Sequence, residues 1–412
     1  MNQLLAGIPA YLTKQISDMI AKDPSIVNLS IGEPYFKPPH QLYDHLKREM
    51  FQSGDYGRIP NRYSDSKGSP ELRKEIAIRY QRLYGASIDA EQEVLVTHGA
   101  AEAIWLSILT LTSIGDEVLI PDPSYIMYET AAKMLGRIPI KLPSRSAEDF
   151  CLNINDIEAH ISAKTKMIII NSPENPTGTV YAPDLIMKIH SLARRYNFYF
   201  VHDEVYDAYV FNQRKHSNIF GHQTHTDANS LLINSFSKTF SMMGWRIGWI
   251  IGNAEAISQA TKLHTNLTLN LAGFHQKAAA SILNDPETES YCKDHIRQLE
   301  KNVSSFKSWL GESIGFDVNP ATPSGGFFLF PRITRLYEHL PEEYTKLSTR
   351  GECVAQYLLK EIGIGVIPGC IYGKSGNDYI RIAVTVEEEK LEIARQRLLA
   401  LDELLLRPVI SD

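Results

Sequence analysis

This chain of 412 residues has few of the features that mark the special classes of protein. Its four cysteines, Cys151, Cys292, Cys353 and Cys370, are scattered and form no C-x-x-C pair. That excludes a disulfide framework and a cysteine zinc site, and it fits a reducing compartment. No apolar run approaches the roughly 20 residues of a membrane-spanning helix. The opening MNQLLAGIPAYLTKQISDM lacks a basic region followed by a long apolar stretch and a cleavage site, so no signal peptide is expected. Basic excess is also absent. A net charge of -6 removes the electrostatic footprint of a nucleic-acid or membrane-surface binder. Neither G-x-G-x-x-G nor a Walker loop occurs, so dinucleotide and nucleoside-triphosphate binding have no motif support. Repeats, low-complexity tracts and long linkers are missing too. The expectation is a cytoplasmic globular protein.

What is present is ordinary globular material. Hydrophobic residues make up 43% and charged residues 22%, enough to bury a large core. The length suggests two or three domain-sized units. Between about Glu93 and Asn253, short β-rich runs alternate with helical segments. The runs are Val94–Thr97, Glu117–Pro121, Ile138–Leu142, Lys166–Ser172, Tyr199–Val205, Ser230–Phe236 and Ile247–Gly252. Several are almost continuously apolar, such as MIIIN and LLIN, as strands buried on both faces are. Pro183–Tyr196 is helical in period and opens with a proline suited to a first turn. The alternation predicts an α/β fold with a mainly parallel sheet of about seven strands. After Pro286 the pattern becomes a long helix to about Gly311. Short β-like pieces follow around Gly326–Phe330 and Tyr379–Val384, as in a smaller α+β domain. The expected division is 1–40 as an N-terminal arm and part of the small domain, 41–285 as the large domain, and 286–412 as the small C-terminal domain.

Four motifs fall just past the C-terminal ends of predicted strands, the edge at which open α/β sheets bind ligands. After VLVT comes HGAAEA, where small residues at a helix start let backbone N–H groups approach an anion. By itself this also reads as a tight connection. MIIINSPENPTGTVY ends a strand with Asn175, which presents an amide to a ligand oxygen or sits in a plain proline turn. YFVHDEVYDAY places Asp203 and Glu204 at a strand end, with Tyr206 close behind. Such an aspartate serves as a cap, or, when buried, suits a cationic heterocycle N–H. LLINSFSKTFSMMGWRIGW carries Ser235, Ser237, Lys238 and Arg246. Hydroxyls and a planar guanidinium make a phosphate site, and a lysine beside it can form an imine with an aldehyde. Most lysines are instead solvated surface groups. Taken together, the set describes an aldehyde-bearing, phosphorylated, basic heterocycle. Pyridoxal 5′-phosphate (PLP) has these needs.

From about Ile26 to Ala400 the sequence resembles the fold-type I PLP enzymes, specifically the class I/II aminotransferases related to aspartate and aromatic aminotransferases. The resemblance rests on an ordered series: VNLSIGEPYFKPP, YSDSKGSPELR, THGAAEA, IGDEVLIPDPSY, NSPENPTG, DEVY, SFSKTFSMMGWRIGW and YIRIAV. It implies a PLP-binding large domain and a smaller α+β domain. It also implies transfer of the α-amino group of an amino acid to a 2-oxo acid through a Schiff base on Lys238. Lys238 is then also the proton shuttle. Asp203 pairs with the pyridinium nitrogen, and Asn175 and Tyr206 contact the ring hydroxyl oxygen. Tyr125 stacks on the ring. Ala100, Ala101, Ser235, Ser237 and Arg246 surround the phosphate. Tyr63 matches a tyrosine that reaches a neighbouring subunit's phosphate, so a homodimer with shared active sites is implied. Arg381 matches the arginine that clamps the substrate α-carboxylate, with Gly32 nearby.

The chain departs from the family pattern at two places. Glu174 directly precedes Asn175, where it would alter local charge, and Tyr372 stands where the family often has phenylalanine. Both are expected to leave the role-bearing residues untouched. His202, beside Asp203, is expected to tune that carboxylate. The polar loop His222, His225 and Asp227 offers metal-ligand types, but loop histidines of this kind usually bind none, and no metal is expected. A PLP lyase acting on the same cofactor contacts (a β-C–S lyase or an aminocyclopropane-carboxylate-synthase-like enzyme) is the alternative reaction. A regulatory PLP module would need a DNA-binding domain, for which no room is seen before Val27. A non-enzymatic scaffold would not need the intact lysine, aspartate and arginine set.

Overall fold

The computed structural model describes residues 16–18, 20, 22–51, 62–145, 147, 149–211, 214–222, 229–319 and 322–405. Its strands are β1 (Val27–Asn28), β2 (Val94–Thr97), β3 (Glu117–Asp122), β4 (Ile138–Pro143), β5 (Thr165–Asn171), β6 (Tyr199–Asp203), β7 (Ser230–Ser235), β8 (Gly248–Gly252), β9 (Phe328–Leu329), β10 (Ile364–Gly365), β11 (Ile367–Pro368) and β12 (Ile380–Ala383). Seven of them form the central sheet, in the order β2-β8-β7-β6-β5-β3-β4. Neighbours pair in parallel except at β8, which runs antiparallel to both β2 and β7.

The apolar runs explain this arrangement. Alternate residues of a strand point to opposite faces. Val94, Val96, Leu119, Ile168, Ile170, Phe200 and Leu232 join one core cluster. Leu95, Val118, Ile120, Met167, Ile169, Val201 and Leu231 join the other. Both faces are therefore dry and helix-covered, which is why these strands lack a polar alternate. The helix Pro183–Tyr196 begins with proline in its first turn and ends at Asn197 in the left-handed region.

One expected strand is too long. Tyr199–Val205 stops at Asp203, because the Asp203 carboxylate turns back to accept from Val205 N (3.2 Å) and Asp207 N closes a turn onto the Glu204 carbonyl. The other runs lie within one residue of the observed strands at each end.

A separate cluster gathers Leu299, Val303, Phe306, Leu310, Phe327, Phe328, Val354, Ile380 and Leu398. The long helix Pro286–Glu312 contributes its first members. A three-stranded sheet, β11-β12-β9, lies there, and β1 pairs in parallel with β10. Val27 and Leu29 belong to this same cluster. The segment after β1 then runs back toward the central sheet: the Ser30 carbonyl accepts from Arg381, and the Gly32 carbonyl accepts from Lys238.

Candidate active site

Because β2, β3, β5, β6 and β7 all run one way, their C-terminal ends share an edge. The reversed β8 starts at that same edge. The residues that follow or end these strands line one cleft of about 280 Å³. It brings together Gly32, Ala100, Ala101, Tyr125, Asn175, Asp203, Tyr206, Ser235, Ser237, Lys238, Arg246 and Arg381, all expected from sequence. Tyr63 stands apart from it, 83% exposed to solvent. His225 and Asp227 lie outside the described residues, as does the side chain of His222.

Asp203 ends β6 and is buried. Its Oδ2 accepts from Tyr128 Oη (2.7 Å) and its Oδ1 from Val205 N. Desolvation pushes the carboxyl up to about 6 despite these donors and despite Lys238. A cation placed against it would bring it back down.

Lys238 lies in the turn after β7. Its Nζ donates to the Gly32 carbonyl (2.7 Å) and stands 5.9 Å from the Tyr206 ring centre. Desolvation lowers the amine to about 8. Arg381 and Arg246 add repulsion, opposed by the attraction of Glu33 and Asp203. A lysine near 8 carries a useful fraction of free amine at neutral pH, as imine formation demands.

An anion cup forms at the far end. The helix Gly99–Leu111 points its N-terminus into the cleft, with Gly99 at φ +74. A Cβ at Gly99 would come within 2.5 Å of the Arg246 guanidinium. Gly248 meets the same constraint, since its Cβ would lie 2.6 Å from the Gly99 carbonyl carbon. Only glycine lets β8 and this helix approach so closely. Arg246 is held in the left-handed region (φ 53) and donates to the carbonyls of Met243 (2.9 Å) and His98 (3.4 Å). Ser235 and Ser237 complete the cup, both buried.

Arg381 comes from β12. Its guanidinium donates to the Ser30 carbonyl (2.5 Å) and Asn175 Oδ1 (3.1 Å), and it lies over the rings of Phe328 (4.6 Å) and Tyr372 (5.3 Å). Its Nε has no hydrogen bond, and among the described residues no carboxylate pairs with it. A buried guanidinium left in this state is built to receive an anion.

The cleft therefore offers a buried anion at one end, a phosphate-sized cup at the other, and an amine of lowered pKa between them. PLP fits that set by charge and by donor type: a ring N–H⁺ to Asp203, phosphate to the cup, aldehyde to Lys238.

Sequence reasoning missed or misjudged several residues. Tyr128 is the hydrogen-bond partner of Asp203. Its signal was the spacing Tyr125 to Tyr128, one helical turn, whose rings meet edge-on at 5.6 Å. Ser17, Ser30 and Phe328 line the cleft through long-range folding and carry no local signal. Tyr372 is not a distant packing change, since its ring lines the cleft beside Arg381. His202 does not touch Asp203. Strand alternation turns it to the opposite face, where its Nδ1 lies 3.0 Å from Glu204 Oε1.

The comparisons with known proteins agree with this geometry. A family model described as aminotransferase class I and II matches residues 24–398. The chain belongs to that family, and it is a PLP-dependent aminotransferase of fold type I. It is 32% identical over 389 residues to the aspartate aminotransferase of Pyrococcus horikoshii, covering 93% of each chain. The crystal structure of the aromatic aminotransferase from the same organism superposes with a TM-score of 0.83 at 28% identity, over 94% of this chain and 98% of that one. The N-succinyldiaminopimelate aminotransferase of Mycobacterium tuberculosis gives 0.86 at 27% identity, over 97% and 100%. The lyase alternative has no counterpart among these three.

Glu174 supplies a test of the site's support. Its side chain is buried; Oε2 accepts from Thr177 Oγ1 (3.0 Å) and Tyr181 Oη (3.1 Å), while Oε1 has no partner. Burial pushes its carboxyl from 4.5 up to about 8, so at neutral pH it is largely neutral and adds little charge beside Asn175. The folded value lies above the unfolded one. Stability from the protonated group is therefore complete below about 4.5 and is lost as pH rises through about 8. Glu174→Gln, which mimics the neutral form, should leave the melting temperature unchanged near pH 5 and raise it above pH 8. Equal melting shifts at both pH values would contradict a neutral buried Glu174.

Proposed function

We propose that this aminotransferase takes an α-amino acid and a 2-oxo acid in the cleft, with each side chain in a defined role and with two chains sharing the sites. The observation that carries the reading is the buried Arg381, which has no carboxylate partner among the described residues and lines a cleft whose other charges are matched to PLP. Bound PLP supplies an aldehyde that takes the amino group and a protonated ring that accepts electron density from the α-carbon.

The chain's residues do the rest. Lys238 Nζ would hold the cofactor and, once displaced by the substrate amine, would carry the proton from the substrate α-carbon to the cofactor's former aldehyde carbon, and the reverse with the oxo acid. Its lowered pKa suits it to both tasks. Asp203, steadied by Tyr128, keeps the ring nitrogen protonated. Asn175 and Tyr206 would meet the ring hydroxyl, and Tyr125 would stack on the ring face. Ala100, Ala101, Ser235, Ser237 and Arg246 hold the phosphate. Arg381, with Asn175 already fixed on it and Gly32 close by, clamps the α-carboxylate. Packed rings of Phe328 and Tyr372 flank the guanidinium and keep water from it.

The division into 1–40, 41–285 and 286–412 belongs to the same reading. It is supported by an apolar cluster drawn mostly from residues after Pro286, joined by Val27 and Leu29 and, at the junction with the large unit, by Val205, Tyr206, Tyr209 and Phe211. A cytoplasmic homodimer is likewise part of it, supported by four free cysteines and by the exposed Tyr63.

Borohydride reduction of the PLP-loaded protein should fix the cofactor to Lys238 alone. A modified peptide containing any other lysine removes Lys238 from its role. Arg381→Lys should retain the fold and the cofactor spectrum but lose two-point binding, worth about 1.5–3 kcal/mol. That loss should appear in kcat/KM for every amino acid and oxo acid, and hardly at all for amines without a carboxylate. A mutant that melts earlier with unchanged kcat/KM per folded site would make Arg381 a purely structural cation. Protein from the cytoplasmic fraction of gently lysed cells should sediment at about twice 46.5 kDa. Full activity in a monomer rules out shared sites.

A further inference from the structure

Behind the cleft, on the sheet face opposite Asp203, lies a second cluster of chemistry-bearing side chains. His202 and Glu204 leave the end of β6 on this face, and His216 comes from the segment that follows. All three side chains are nearly or wholly inaccessible to solvent (0%, 0% and 4%). His202 Nδ1 and His216 Nε2 each approach Glu204 Oε1 to 3.0 Å. The three donor atoms lie within 4.8 Å of one another.

Hydrogen bonding accounts for only part of this arrangement. The near nitrogens, His202 Nδ1 and His216 Nε2, face Glu204 Oε1 at 3.0 Å, while the far nitrogens, His202 Nε2 and His216 Nδ1, have no partner. With a neutral His202 donating Nδ1–H to Glu204 Oε1, an ion pair between Glu204 and a protonated His216 would leave only the His216 Nδ1–H buried without an acceptor. Such a group costs about 1–3 kcal/mol.

Two of the three donor–donor edges are close to the length expected around one ion. Bonds of about 2.0–2.2 Å in a tetrahedron hold neighbouring donor atoms about 3.3 Å apart and two imidazole centres about 5 Å apart. Here the N–O separations are 3.0 Å and the ring centres are 5.6 Å apart. Asn218 Nδ2 donates to both carboxylate oxygens of Glu204 (3.0 and 2.8 Å), as outer-shell groups do for a ligating carboxylate.

We propose that His202 Nδ1, Glu204 Oε1 and His216 Nε2 bind one zinc ion, with a water as fourth ligand. Two imidazoles and one carboxylate suit this borderline cation; magnesium and calcium prefer all-oxygen sets, and copper(I) prefers sulfur. The enclosure makes the ion structural rather than catalytic. It ties the end of β6, which carries Asp203 on its other face, to the 214–218 segment.

The test uses the PLP-loaded wild type, stripped by a chelator, dialysed and titrated with cobalt(II) alone. A saturable ligand-field band should appear at one equivalent per chain, at longer wavelength than the cofactor bands, and zinc should displace it. His202→Asn and His216→Asn should each weaken cobalt binding by more than the roughly 10–100-fold that loss of an outer-shell partner costs. X-ray absorption of the zinc-loaded wild type should show two imidazoles and one carboxylate oxygen, a result that does not depend on either variant folding. Absence of a saturable band, a band that survives both substitutions, or a different ligand shell would overturn the site and leave a buried Glu204–His216 ion pair in its place.

Discussion

The architecture depends on holding Asp203, Lys238 and Arg381 in a desolvated cleft without pairing them to one another. Each buried ion of this kind costs several kcal/mol unless it is matched. Among the described residues, the Asp203 carboxylate meets a phenol and a backbone N–H, Lys238 a carbonyl, and Arg381 a carbonyl and an amide oxygen. These neutral dipoles orient the charges and leave each with bonding capacity directed into the cleft. The surrounding core must be rigid enough to prevent the aspartate, lysine and arginine from collapsing together. Two dry faces of a seven-stranded sheet meet that demand.

The same constraint explains why the cleft draws on distant parts of the chain. Gly32 and Ser30 follow β1, which pairs with β10 of the other cluster, yet their carbonyls reach Lys238 and Arg381. One short extended segment thus spans both clusters and touches both cations. Any shift between the clusters moves it, so the position of the carboxylate-binding guanidinium and the state of the lysine are mechanically linked.

Much of this is legible in the amino-acid sequence, for physical reasons. Strands buried on both faces write themselves as unbroken apolar runs, and residues at their ends stand out because polar groups there must serve something. Asp203, Asn175, Ser235 and Lys238 are readable in this way. Where the physics is long-range, legibility ends. Tyr128 matters through a hydrogen bond across 75 positions of chain. Phe328 and Tyr372 matter because they flank an arginine on a neighbouring strand. His202 meets Glu204 rather than Asp203 because adjacency along a strand means opposition across the sheet. The strand beginning at Tyr199 is shorter than its apolar run because the Asp203 side chain also caps the turn that ends it.

The reversed strand β8 has a consequence for how the site can change. Because β7 and β8 run antiparallel, Lys238 and Arg246 are the two feet of a single bend, and the intervening residues act as a ruler between the amine and the phosphate cup. Point substitutions along the bend alter its packing but not its span. An inserted or deleted residue would change the span itself, and Gly248 against Gly99 leaves no slack to absorb it. Diversity in this scaffold should therefore arise by exchanging side chains around the cleft at constant bend length, with length variation confined to loops at the opposite edge of the sheet.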